Sequence, residues 1–198
     1  TLLAARMEGE RTDVDRPLFL GARLEIQPKP WLNIGFSRTA QVCGRGRPCN
    51  LSTLKDLLLG NDNLGIDATS ATEPGNQMAG FDVRIRSPWA DIPVAVYSQM
   101  IGEDESGYFP VKFLGQFGVE SWRVLRGGSQ LRAFVEYADT TCSFNRPQPR
   151  FNCAYVQGIF NVEGYRYRGR SIGHSADGDA ELWSAGLRLQ TPRSDEWN

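Results

Sequence analysis

Across residues 81–86, Phe81-Asp82-Val83-Arg84-Ile85-Arg86, apolar and charged side chains alternate one for one. Successive side chains of a strand point to opposite faces, so this piece shows hydrocarbon one way and Asp82, Arg84 and Arg86 the other. The same period recurs. Residues 18–27 set Leu18, Leu20, Ala22, Leu24 and Ile26 against Arg23, Glu25 and Gln27, and residues 31–42 set Leu32, Ile34 and Phe36 against Asn33, Ser37, Thr39 and Gln41. Between them Pro28-Lys29-Pro30 predicts a tight link, because proline cannot continue a ladder. Further strands are predicted at 78–86, 93–102, 112–122, 131–139, 154–160, 165–172 and 182–189, with another at 2–8.

The connections alternate in length. Short links at 28–30, 87–92, 123–129 and 161–164 interleave with larger ones at 43–77, 103–110, 140–153 and 173–180. In the longest, 43–77, Leu51, Leu54, Leu57 and Leu58 recur at helical spacing and Gly60 stops the pattern, which predicts a short helix at 51–59. An up-and-down meander with two unlike rims explains this parity. The fold expected is all-β and antiparallel: a single domain, 1–198, forming part of a transmembrane outer-membrane β-barrel whose long loops, 43–77 included, face the cell exterior. Strands of about 9–11 residues suit a tilted crossing of a bilayer. Trp31, Trp89 and Trp122 fall near the short-link rim, where an interfacial aromatic belt is expected.

Composition alters this little. With 22 basic and 23 acidic residues the formal net charge is −1, so no basic surplus exists to attract nucleic acid. Hydrophobic content of 40% resembles that of a water-soluble protein, but a barrel strand offers only half its residues to lipid. The start, Thr1-Leu2-Leu3-Ala4-Ala5-Arg6, and the polar end, Ser194-Asp195-Glu196-Trp197-Asn198, read as those of an incomplete piece of a longer chain. Four cysteines form two close pairs, Cys43 with Cys49 and Cys142 with Cys153, each in an expected loop. Disulfides are the first reading, with free thiols and a zinc site as alternatives; zinc would want closer cysteines or more histidine than His174 alone.

Polar strings collect at the long-loop rim, bringing Arg38, Gln41, Asn76, Gln77, Glu103, Asp104, Glu105, Tyr108, Asp139, Arg170 and His174 into candidacy. Amides, carboxylates and guanidinium groups beside aromatic rings suit a carbohydrate, which offers hydroxyls to the former and C–H faces to the latter. The bland alternative is a solvated rim or a salt-bridge network plugging the lumen, with Asp82, Arg84, Arg132, Glu136, Arg166 and Arg168 as its members. A lumen lined by Arg84, Arg132 and Arg168 would instead pass small anions. Glu103 and Asp104 invite a glycosidase or a calcium site, but strand neighbours diverge and the spacing of a calcium loop is missing. His174 with Ser171 or Ser175 and Asp177 lacks a Gly-x-Ser-x-Gly elbow, and no phosphate loop occurs. No metal and no cofactor is expected.

Several of these strings resemble the Wzi family of capsule assembly proteins. The resemblance rests on Phe36-Ser37-Arg38-Thr39-Ala40-Gln41, Glu73-Pro74-Gly75-Asn76-Gln77, Tyr97-Ser98-Gln99-Met100-Ile101-Gly102-Glu103-Asp104-Glu105, Phe134-Val135-Glu136-Tyr137-Ala138-Asp139-Thr140 and Tyr165-Arg166-Tyr167-Arg168-Gly169-Arg170-Ser171-Ile172-Gly173-His174. It implies an outer-membrane barrel of about eighteen strands closed by extracellular loops, of which this chain supplies about the later half. The role implied is that of a non-enzymatic lectin holding capsular polysaccharide at the bacterial surface. The expected partners are capsular polysaccharide and outer-membrane lipid, with no nucleic acid and a monomeric state. The two cysteine pairs and the stretch around 45–50 depart from the family pattern.

Overall fold

In the computed structural model the described residues are 1–53, 55, 75–89, 91–102, 105–106, 109–110, 112–142, 151, 155, 162–192 and 196–197. The wall consists of β1 (Leu2–Arg6), β2 (Leu18–Lys29), β3 (Leu32–Val42), β4 (Gly75–Arg86) and β5 (Val94–Gly102). Two small strands follow, β6 (Glu105–Ser106) and β7 (Phe109–Pro110), then β8 (Phe113–Val124) and β9 (Gln130–Asp139). A second small pair, β10 (Arg166–Tyr167) and β11 (Arg170–Ser171), precedes β12 (Glu181–Gln190) and β13 (Glu196–Trp197). One antiparallel sheet runs β1-β2-β3-β4-β5-β8-β9-β12-β13, while β6-β7 and β10-β11 pair apart from it. The sheet is an open meander whose ends do not meet.

Several expectations change. Pro28 lies within β2, at a register irregularity between Ile26 and Lys29 where no ladder amide is required of it. Gly75, Asn76 and Gln77 belong to β4 rather than to the loop before it. Most consequentially, β9 pairs directly with β12, from Glu181↔Asp139 to Gln190↔Gln130, so 140–180 is one excursion and 161–164 is no wall turn. Of the expected helix at 51–59, residues 51–53 and 55 are helical, and the Asn50 side chain caps it by accepting from the Thr53 amide at 2.9 Å. The expected strand at 154–160 lies outside the described residues except for Tyr155.

Register shows that the strands lean. One hydrogen-bonded row reads Leu24↔Phe36↔Phe81↔Met100↔Gly115↔Asp139↔Glu181, apolar at one end and acidic at the other. On β12 the apolar residues of that face, Trp183, Ala185, Leu187 and Leu189, all lie farther along the strand. The apolar band therefore crosses the rows diagonally, as tilted strands of a barrel wall require. Leu24, Phe36, Phe81, Ile85, Val96, Val119, Val135 and Leu187 are exposed on this face.

The opposite face carries the charge. Arg23 of β2 reaches across β3 to Asp82 of β4, with its Nη2 at 3.0 Å from Oδ2. Arg84 of β4 donates to Glu120 of β8 at 2.8 Å, and Arg132 of β9 donates to the other oxygen of the same carboxylate at 2.9 Å. Trp122 shares this face and lies under the Arg84 guanidinium, 5.8 Å from ring centre to carbon, so it does not belong to an outer aromatic belt. Tyr97 of β5 lies across Gly118 of β8 to donate to Glu136 of β9 at 2.9 Å. A Cβ on Gly118 would overlap the tyrosine ring. Gly118→Ala in the full-length protein is expected to lower stability by about 1–3 kcal/mol, read from the urea midpoint; an unchanged midpoint would show that Tyr97 takes another path.

Candidate functional site

At the long-loop rim, residues 162–180 fold back over the inner face of the sheet, the face that carries the charge. Their footing is apolar: Tyr165 and Ile172, together with Tyr155 from earlier in the same excursion, pack with Phe19, Met78, Leu114, Ile101, Met7 and Cys142. Tyr165 is fully buried, edge-on to Phe19 with centroids 6.0 Å apart. Its hydroxyl is 3.1 Å from the carbonyl oxygens of both Thr39 on β3 and Asn76 on β4. Gln41 donates to the Gly164 carbonyl at 3.1 Å. The plug thus leaves the wall beside β9 and β12 and is bolted to β2, β3 and β4 across the lumen.

A clasp from the β1–β2 connection holds it from the other side. Arg11 is chelated by Asp13, both nitrogen–oxygen distances being 2.9 Å, and this aims the guanidinium at the plug backbone. It donates to the Arg166 carbonyl at 2.6 Å and the Gly164 carbonyl at 3.1 Å. Reciprocally, the Glu163 amide donates to Asp13 at 3.3 Å and the Arg168 amide to Glu8 at 2.8 Å. Two plug carbonyls thus find a guanidinium donor and two plug amides find carboxylate acceptors, as buried backbone groups require.

The sequence-derived candidates divide accordingly. Gln41, Asn76, Gln77 and Asp139 are buried. Asp139 accepts from the Thr141 amide and hydroxyl at 2.8 and 2.6 Å, and Gln77 accepts from Arg38 at 2.6 Å. Glu103, Asp104 and Tyr108 lie outside the described residues, and so does the side chain of Glu105. Asp82, Arg84, Arg132 and Glu136 do gather on the inner face. Arg166 and Arg168 do not join that network, because the strand expected at 165–172 is instead the hairpin of β10 and β11. Arg166 pairs with Asp177 at 2.7 Å, and Arg168 sits in the hairpin turn over the Tyr167 ring, 5.4 Å from its centre. Tyr167, Arg168 and Arg170 are exposed there. The sequence pattern did not reveal Glu120, Tyr97 and Arg23 as partners, though all share a face with Arg84 or Arg132, and it gave no role to Arg11, Asp13 or the Tyr165 side chain.

Beneath the plug lies a cavity of about 500 Å³ whose lining includes Gln99, Gln116, Asp139, Thr140, His174 and Tyr155. Burial pushes the Tyr155 hydroxyl above the usual phenol range, opposed in part by the His174 amide that donates to it at 2.8 Å. The imagined Ser-His-Asp set does not form: Nδ1 of His174 accepts from the Ala176 amide at 3.1 Å, Ser171 donates to the His174 carbonyl, and Asp177 holds Arg166. Among the described residues no group of three or more His, Cys, Asp or Glu could hold a metal. Cys43 and Cys49 are disulfide-bonded with Cα atoms 4.8 Å apart; Cys142 is disulfide-bonded too, and Cys153 lies outside the described residues.

A family model described as capsule assembly protein Wzi matches residues 1–195, nearly the whole chain. The chain belongs to the Wzi family. Within known Wzi-like proteins, one similar structure is described as Wzi, an outer membrane protein involved in group 1 capsule assembly in Escherichia coli, a carbohydrate-binding β-barrel; identity is 30% and the TM-score 0.78 over 99% of this chain. A Klebsiella pneumoniae protein of 55.8 kDa from a cps region is 34% identical over 200 residues. The chain spans 39% of the former and 37% of the latter, so the open sheet corresponds to one stretch of a Wzi barrel wall.

Proposed function

We propose that the protein is a non-enzymatic outer-membrane lectin that attaches capsular polysaccharide to the bacterial surface, with the plugged mouth turned outward. The observation that carries this reading is an anchored hairpin at the rim: Tyr165 and Arg11 hold the plug to the wall, and Tyr167, Arg168 and Arg170 at its tip are exposed. A ring and two guanidinium groups on a rigid hairpin meet both faces of a sugar chemistry, hydroxyl and C–H, and a repeating polymer engages many such weak contacts at once. Arg170 and His174 remain the best placed of the sequence-derived contacts. The exposed apolar face meets outer-membrane lipid, and a monomer suffices.

Family membership and the carbohydrate-binding relative support this reading over an anion channel. The channel loses its carriers as well, since Arg84 and Arg132 share Glu120 and Arg168 lies off the wall. Retention of the full-length protein on immobilised capsular polysaccharide tests the claim. Wild type is expected to be retained, and combined Tyr167→Ala, Arg168→Ala and Arg170→Ala to weaken retention about tenfold, a total of about 1.4 kcal/mol over the three weak contacts. Absence of retention on every capsule-type polymer removes the lectin reading.

A further inference from the structure

A second cavity, of about 410 Å³, lies on the other side of the wall at the same rim, lined chiefly by Arg6, Asp15, Arg16, Leu18, Arg45 and the Cys43–Cys49 bridge. Register fixes its position. Arg6 pairs with Leu18, and Leu18 begins the apolar row Leu18, Leu20, Ala22, Leu24, Ile26 that faces away from the lumen. Three arginines therefore stand where the outward hydrocarbon face ends and the long loops begin.

The backbone that carries Arg16 and Arg45 is held in place. The Arg45 amide donates to the Asp15 carbonyl at 2.9 Å in an isolated bridge, inside a ring closed by the disulfide. Gly44 at φ 100° lets that ring press on the β1–β2 connection, for a Cβ there would meet Val14 Cγ2 at 2.6 Å and the Asp15 oxygen at 2.8 Å. Arg16 is itself held at φ 53°, an uncommon conformation for a side chain of its size. Asp15 lies 3.3 Å from Arg45 and 3.9 Å from Arg16, so the cavity carries three positive charges against one negative, a net +2. The Arg16 and Arg45 side chains are nonetheless 57% and 80% exposed, and Arg6 has no ion-pair or hydrogen-bonding side-chain partner among the described residues.

We propose that Arg6, Arg16 and Arg45 form a binding site for the phosphate groups of an outer-leaflet lipid whose acyl chains lie along the Leu18–Ile26 row. The chemistry is specific to this border. A cationic pocket in open water attracts any anion, but one sitting at the edge of an apolar wall meets the layer where lipid phosphates concentrate, and basic pockets at that depth bind anionic headgroups. The inference rests on the reading of the apolar face as lipid-facing.

The test uses full-length protein in detergent and in vesicles, with bisphosphorylated lipid A, the same lipid dephosphorylated, inorganic phosphate and an acidic capsular polysaccharide as probes. Native mass spectrometry of wild type is expected to show retained bisphosphorylated lipid and little of the dephosphorylated form. Arg45→Gln, an exposed change compatible with folding, is expected to weaken retention about fivefold, and Arg6→Gln with Arg16→Gln and Arg45→Gln about a hundredfold, at the strength of one surface arginine each. Equal retention of the two lipids by protein that inserts into vesicles overturns the site and leaves the membrane reading standing; failure to insert at all overturns both. Binding of inorganic phosphate without lipid preference, or loss of polysaccharide retention with lipid retention unchanged, also overturns it.

Discussion

Tyr165→Ala is expected to unseat the plug and open the mouth. The side chain is fully buried in the largest apolar cluster, and truncating such a ring costs about 3–5 kcal/mol. The loss falls on a segment, not on the wall, whose strands are joined by their own ladders. The full-length protein in a planar bilayer should therefore pass from silence to measurable current, while amides of 162–180 exchange faster with solvent. Tyr165→Phe separates the two parts of the anchor. It removes only the hydroxyl shared with the Thr39 and Asn76 carbonyls and should cost about 1 kcal/mol without steady current. Unchanged conductance and exchange in Tyr165→Ala would show that the clasp at Arg11 holds the plug alone.

The second large effect belongs to the wall. Glu120 is 3% exposed and serves Arg84 and Arg132 together. Glu120→Met leaves two guanidinium groups facing each other with their shared anion gone. Removing one partner from a buried pair costs about 3–5 kcal/mol, and the partial exposure of both arginines puts this case at the low end, about 3 kcal/mol. The urea midpoint of the full-length protein should fall accordingly, and adding Arg84→Met should restore part of it. A midpoint that stays in place would mean that water or Glu136 takes over both arginines.

Much of the wall was legible because a spanning strand writes its two environments into every second residue. β3, β4, β5, β8, β9 and β12 fall within a few residues of their expected limits for that reason. Parity also contained the inner network, since Glu120 alternates with Val119 as Arg84 does with Val83. It was misread at Trp122, where nearness to a rim was weighed above face. The stretch 165–172 deceived for a related reason: Arg166, Arg168 and Arg170 alternate as a strand would, yet Arg168 at φ 49° and Gly169 at φ 76° reverse the chain between them. The glycines at 164, 169 and 173 were the local signal against a crossing strand. The clasp left no such trace, because Arg11 and Asp13 acquire meaning only from carbonyls and amides far along the chain.

That distance has a consequence for the order of assembly. Arg11 and Gly164 are 153 residues apart, whereas each wall hairpin joins neighbours through a turn or a single loop. Contacts between remote residues carry the larger closure entropy and form after local pairings have shortened the path between them. The clasp is therefore expected to fasten late, after β2 to β9 have paired and brought the two ends of that long path together.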